Sequence, residues 1–204
     1  ILIKDVASRE GIADVSLLED IVRFLSGSIG SPISAKRISD AINASGRSIS
    51  VNTVDKYLKA LTESYIFYKA DRFDVKGRNL LKTLSKYYIV DTGLRNFLLS
   101  TASPDLGHQI ENIVYLELLR RNFKVNIGKL DDKEVDFVAS DGNQFVYFQV
   151  ATTVLSEETL SRELQAFRAI PDNFPRILLT LDDIPAYANY EGVHQTYLLD
   201  WLLK

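Results

Sequence analysis

Residues 107–154 constrain the fold more than any other stretch: GHQIENIVYLELLRRNFKVNIGKLDDKEVDFVASDGNQFVYFQVATTV. Ile110, Ile113, Val114, Leu116, Leu118 and Leu119 form a broad apolar arc at helical spacing, which predicts a well-buried helix. Arg120 and Arg121 close it, where cations suit the negative end of the helix dipole. Residues 124–128 read as a strand. Residues 133–139 and 144–152 read as two more, joined at Ser140-Asp-Gly142, a good hairpin turn. In the last strand Phe145, Val146, Tyr147, Phe148 and Val150 have the composition of a strand covered on both faces.

Polar groups interrupt these apolar runs. Asp136 and Gln149 lie on the two strands of the hairpin, and Glu111 and Glu117 lie on the helix. Carboxylates on a largely buried helix require partners or a metal. A helix carboxylate, a strand carboxylate and a polar group on the next strand would converge at one end of a sheet, as in Mg²⁺-dependent nucleases. The plainer alternative also stands: Asp136 ends a strand or pairs with Arg120 or Lys129, and Glu111 and Glu117 cap and solvate the helix. Beyond the hairpin, residues 157–170 read as a helix, 176–181 as a buried strand and 197–203 as a helical piece whose Trp201 plugs the core. The order helix, strand, hairpin, helix, strand, helix predicts an α/β sandwich with a mixed sheet.

The first half reads differently. Residues 1–15 are a leading connector. A helix follows, with Ser16 as its cap and Glu19 three residues on, like a capping box. Second and third helices start behind Ser34 and Ser50, with a turn at Gly46 between them. Residues 65–73 and 80–90 read as a hairpin turning at residues 74–77, and Asp91 caps a short helix. Three helices and a hairpin predict a winged helix-turn-helix over 16–99. A linker at 100–106 leads to a second domain at 107–204, making the whole α/β in class and α+β overall.

Charge separates the two halves. Net charge is −3, but residues 16–98 hold 13 Lys and Arg against 8 Asp and Glu, and residues 99–204 hold 9 against 16. A nucleic-acid partner would therefore meet the first half. On the third helix Asn52, Thr53, Lys56 and Lys59 are the groove-facing residues of that reading. On the hairpin, Lys69, Arg72, Lys76, Arg78, Lys82 and Lys86 would follow phosphates, with Lys76 and Arg78 at its tip. The competing reading is a solvated face used for protein contacts.

Several chemistries are excluded. The chain has no cysteine, hence no disulfide or thiolate metal site, which fits a cytoplasmic setting. No apolar run approaches the ~20 residues of a membrane span, so no membrane partner is expected. His108 and His194 lack metal-ligand spacing. No phosphate-cradling Gly-x-x-x-x-Gly-Lys-Ser/Thr occurs. The chain opens Ile-Leu-Ile-Lys and contains no methionine, so it is expected to be part of a longer protein.

Three phrases carry a resemblance: Lys82-Thr-Leu-Ser-Lys-Tyr-Tyr-Ile-Val-Asp-Thr-Gly-Leu-Arg95, Gly107-His-Gln-Ile-Glu-Asn-Ile-Val-Tyr-Leu-Glu-Leu118 and Glu134-Val-Asp-Phe-Val138. Together they resemble the C-terminal region of prokaryotic predicted AAA+-type ATPases. In that group a P-loop domain is followed by a winged helix and a domain of unknown function similar to the PD-(D/E)xK, restriction-endonuclease-like fold. The resemblance implies that ATP is bound by an N-terminal domain outside this chain. It implies Glu111, Asp136 and Gln149 as the ligands of a Mg²⁺ ion, with Ala151 where the motif has lysine. A Gln oxygen still suits Mg²⁺. Ala offers nothing to activate water or stabilise phosphate charge. The function expected is a non-catalytic binding region for DNA or protein. The alternatives are a metal-dependent DNA nuclease, and a regulatory or homo-oligomerising module for the ATPase domain.

Overall fold

The computed structural model describes residues 2–100, 105–142, 144–183 and 188–204; the side chains of Lys82 and Thr83 and most of the expected linker at 100–106 lie outside the described residues. The chain divides into two compact units, Ile1–Lys69 with Thr83–Pro104, and Ala70–Lys82 with Asp105–Lys204.

The first unit packs α1 (Leu2–Arg9), α2 (Val15–Gly27), α3 (Ala35–Ala44), α4 (Val51–Glu63) and, later in the chain, α5 (Thr92–Leu99) around one core. Leu18, Ile21, Leu25, Ile38, Val54 and Leu61 are fully enclosed there. Ser34 and Ser50 cap α3 and α4, accepting from Arg37 N at 3.2 Å and Thr53 N at 3.1 Å, and Asp91 caps α5 at 2.6 Å from Leu94 N. The cap of α2 is Asp14, at 2.9 Å from Leu17 N, and not Ser16. Ser16 instead lies in the first turn, where its hydroxyl accepts from Arg47, which also pairs with Asp14 and Asp20. The leading residues are thus ordered as α1, with Val6 and Ala7 in the core.

The hairpin β1 (Phe67–Asp74) and β2 (Asn79–Ile89) divides between the units. Phe67, Tyr87 and Ile89 belong to the first core, and Ile33 pairs with Ser85 beside them. The distal segment, residues 70–82, joins the second unit. There Arg72, Phe73 and Asp74 pair in parallel with Ile127, Gly128 and Lys129 of β3 (Lys124–Leu130).

The second unit is built on a mixed sheet in the order β2-β1-β3-β4-β5-β6-β8-β7. Its further strands are β4 (Lys133–Ser140), β5 (Phe145–Ala151), β6 (Arg176–Thr180), β7 (Asn189–Tyr190) and β8 (Val193–Tyr197). β4 runs antiparallel to β3 and β5, whereas β6 is parallel to β5 and β8. Helices α6 (Leu106–Arg120) and α7 (Glu157–Arg168) cover opposite faces: Phe137 meets Tyr115 of α6, and the adjacent Val138 belongs to the core beneath α7. The final helix α8 (Leu198–Leu202) brings Trp201 edge-on to Phe148 at 5.7 Å. The architecture is mixed α/β with a large mixed sheet. The strands β7 and β8, between β6 and α8, were not expected from sequence. At the β3–β4 bulge Gly128 permits close approach, because a Cβ there would sit 2.8 Å from Val138 Cγ2. Among the described residues no helix is long and apolar enough to cross a membrane.

Candidate functional site

The N-terminal turns of α6, the middle of β4, the end of β5 and α7 line an open cleft of about 550 Å³. Glu111, Asp136, Gln149 and Ala151 all line it, so the structure brings together the four positions singled out from sequence. It adds Asp105, His108, Arg162 and Glu163, together with Thr152, Thr153 and Thr159.

The floor of the cleft is internally hydrogen-bonded. Asp136 Oδ2 accepts from Val150 N at 2.9 Å, and Gln149 Oε1 accepts from Asp136 N at 3.2 Å. Gln149 Nε2 donates to Glu163 Oε2 at 2.9 Å, and Arg162 donates to Glu163 Oε1 at 3.0 Å. Gln149 is therefore a bar between strand and helix, holding a carboxylate only 9% exposed. Asp136 does not pair with Arg120, which is bonded to Glu117. The Arg120 hydrogen bond holds the Glu117 carboxyl below the usual carboxylate range; Arg121 adds to this, and burial opposes it. Arg121 also stacks over Trp201 at 4.1 Å, which fixes the far end of α6.

The rim is also positioned. Asp105 caps α6, and its Oδ2 lies 2.5 Å from His108 Nδ1, so His108 lines the cleft with its imidazole oriented by a carboxylate. Asp182 is 8% exposed and accepts from Thr153 Oγ1 at 2.7 Å and Val154 N at 2.8 Å, tying down the loop after β5.

Part of the donor set expected from sequence is engaged within the chain itself. Gln149 Oε1 is committed to the backbone of Asp136, Asp136 Oδ2 is committed to Val150, and Glu163 is neutralised by Arg162. Among the described residues no three His, Asp or Glu side chains gather where they could hold an ion.

Glu163 and Arg162 were missed in the sequence because Glu157–Arg168 reads as an ordinary charged helix. The available signal was spacing: Leu160, Glu163, Leu164 and Phe167 share one stripe, which sets a carboxylate among residues that face the core. His108 carries no metal-ligand spacing in the sequence, and the fold sets it in the same cleft as Glu111.

The residues expected to meet nucleic acid are distributed unevenly. Asn52, Lys56 and Lys59 are exposed on α4; Thr53 is half-buried with its hydroxyl 2.8 Å from Ser50 Oγ, and Lys59 lies 3.6 Å from Glu63. Lys76 pairs with Asp131, and Arg78 pairs with Asp172 while lying over the rings of Phe145 and Phe174. Both cations at the hairpin tip are thus held by the second unit's own groups.

Fold and cleft together define a mixed α/β protein with a polar cleft at one end of its sheet. The chain belongs to the family described as a domain of unknown function, DUF8612, whose model matches residues 1–105. It is 36% identical, over its whole length and 50% of the relative's, to an uncharacterized protein of Haemophilus influenzae. It is 30% identical, over 84% of its length and 39% of the relative's, to the uncharacterized protein MJ1544 of Methanocaldococcus jannaschii. The chain thus spans half or less of each of these relatives. No solved structure gives a significant match.

Proposed function

We propose that this chain is an accessory region of a larger cytoplasmic AAA+-type ATPase, with ATP bound by a domain outside it. In this reading the first unit is a winged helix and the second is a nuclease-like domain that binds without cutting. What supports binding without cutting is the closed hydrogen-bond bar in the cleft. Gln149 spans Asp136 and Glu163, while Ala151 stands where the resemblance would have a lysine and contributes no ammonium group.

The binding surface of the first unit is α4, whose exposed Asn52, Lys56 and Lys59 suit a nucleic-acid backbone. Titrating duplex and single-stranded DNA at low and moderate salt tests this. Binding is expected to weaken with salt, and Lys56→Ala with Lys59→Ala is expected to reduce the salt slope by about one per lost phosphate contact. Absence of binding in both salt conditions would remove DNA as partner, leaving a protein-binding module that regulates the ATPase domain. A second reading, a Mg²⁺-dependent DNA nuclease, is favoured by the convergence of Glu111, Asp136 and Gln149 on one cleft.

A further inference from the structure

The outer end of the β1–β2 hairpin, within Ala70–Lys82, is held by groups of the second unit, to which it belongs. Its turn is fixed by Asp74 Oδ1, which accepts from Lys76 N and from Gly77 N at 3.1 Å each. Arg78 follows with a left-handed backbone, φ +50°, uncommon for a residue that carries a Cβ. Its guanidinium enters a built receptor. Nη2 donates to Asp172 Oδ2 at 3.2 Å, and the group lies 5.3 Å from the centre of the Phe145 ring and 5.7 Å from that of Phe174. Asp172 is itself set in place: its side chain is 15% exposed, and it accepts from the Tyr147 hydroxyl at 2.8 Å and from Phe174 N at 3.2 Å. Two residues before Arg78, Lys76 Nζ lies 2.5 Å from Asp131 Oδ2.

We propose that this is an autoinhibitory contact: Asp172 and Asp131 mask the hairpin cations, and nucleic-acid phosphates bind Arg78 and Lys76 only by displacing those carboxylates. The proposal rests on the reading of the chain as a nucleic-acid-binding region and adds the step that regulates it. Exposure fits a mask and not a buried brace. The Arg78 side chain is 50% exposed and that of Lys76 49%, so a phosphate reaches both without the hairpin unfolding. Ion pairs at such exposure contribute little net stability and are screened by salt. A phosphate offers the guanidinium two parallel hydrogen bonds, where Asp172 takes one. The rings of Phe145 and Phe174 contact Arg78 independently of Asp172, so the guanidinium keeps its place while the anion is exchanged.

Titration of a short DNA duplex with the wild-type chain, Asp172→Asn, Arg78→Gln and the double variant, each at several salt concentrations, tests it. Asp172→Asn is expected to bind several-fold more tightly than the wild-type chain, with a salt slope steeper by about one phosphate contact. In the Arg78→Gln background the same change is expected to leave affinity unaltered, because no guanidinium remains to be unmasked. A general gain from deleting a negative charge would persist there. Should Asp172→Asn unfold the second unit, as Trp201 fluorescence would show, the same cycle is run with Asp131→Asn and Lys76→Gln, whose side chains are 67% and 49% exposed. Equal affinity of the wild-type chain and the Asp→Asn variant, or a gain that survives removal of the cation, overturns the mask and leaves DNA binding in place. Failure of every chain to bind DNA overturns both.

Discussion

Replacing Gln149 by Glu converts the bar across the cleft into a contact of like charges. Gln149 Nε2 donates to Glu163 Oε2 across 2.9 Å, and Glu163 is only 9% exposed. The substitution removes a hydrogen bond to a charged acceptor, worth about 1.5–3 kcal/mol. It also sets two carboxylates ~3 Å apart, where the repulsion is roughly 5 kcal/mol at an effective dielectric near 20. Arg162 offsets part of this, and the pair relieves much of the rest by sharing a proton. Such a pair has a raised pKa in the folded chain. Its stability is therefore intact below the unfolded carboxylate value of about 4.3 and is lost as pH rises through the folded value. The expected deficit is about 3 kcal/mol near pH 8, or roughly 10 °C in melting temperature for a chain of this size, and much less near pH 4. Trp201 is the sole tryptophan and is buried in the second unit, so its fluorescence reports the melt of the unit that holds the cleft. Equal melting of the variant and the wild-type chain near pH 8 would show that Gln149 does not bridge to Glu163.

Two further substitutions probe the frame around the cleft. Gly128→Ala places a Cβ 2.8 Å from Val138 Cγ2 and 3.1 Å from Val135 Cβ, both stiff, buried side chains. It is expected to cost about 1–3 kcal/mol in the same melt, with part recovered in the double variant Gly128→Ala, Val138→Ala. Glu117 has a depressed pKa, so its contribution is present above the unfolded carboxylate value and is lost as pH falls through the folded one. Glu117→Gln is accordingly expected to show a flatter loss of stability between about pH 5 and pH 3 than the wild-type chain, followed by Trp201 fluorescence.

Much of this architecture was legible because it is local. Ser34, Ser50 and Asp91 each precede an amphipathic run by one position, and each caps its helix. Ser16 was misread because Asp14 offers a competing oxygen two residues earlier, and a carboxylate caps at least as well as a hydroxyl. Nothing local announces that β1 pairs with β3, since that contact links Arg72 to Ile127, 55 positions further along the chain. The strand β8 was hidden by its polar alternation, His194, Gln195 and Thr196, although Gln195 is buried with Nε2 donating to Thr180 Oγ1 at 2.8 Å. In the cleft, Glu111, Asp136 and Gln149 were visible as polar breaks in apolar runs. Glu163 was not, because a carboxylate among other charges attracts attention only once its helix stripe is drawn.

The proposal that this cleft binds without cutting is tested most directly by incubating the chain with supercoiled plasmid in Mg²⁺ and in Mn²⁺. The wild-type chain is expected to leave the plasmid intact with either ion, because Gln149, Asp136 and Glu163 are bonded to groups of the chain itself and position 151 carries no cation. Nicking or linearisation by the wild-type chain that disappears in Asp136→Ala would contradict it.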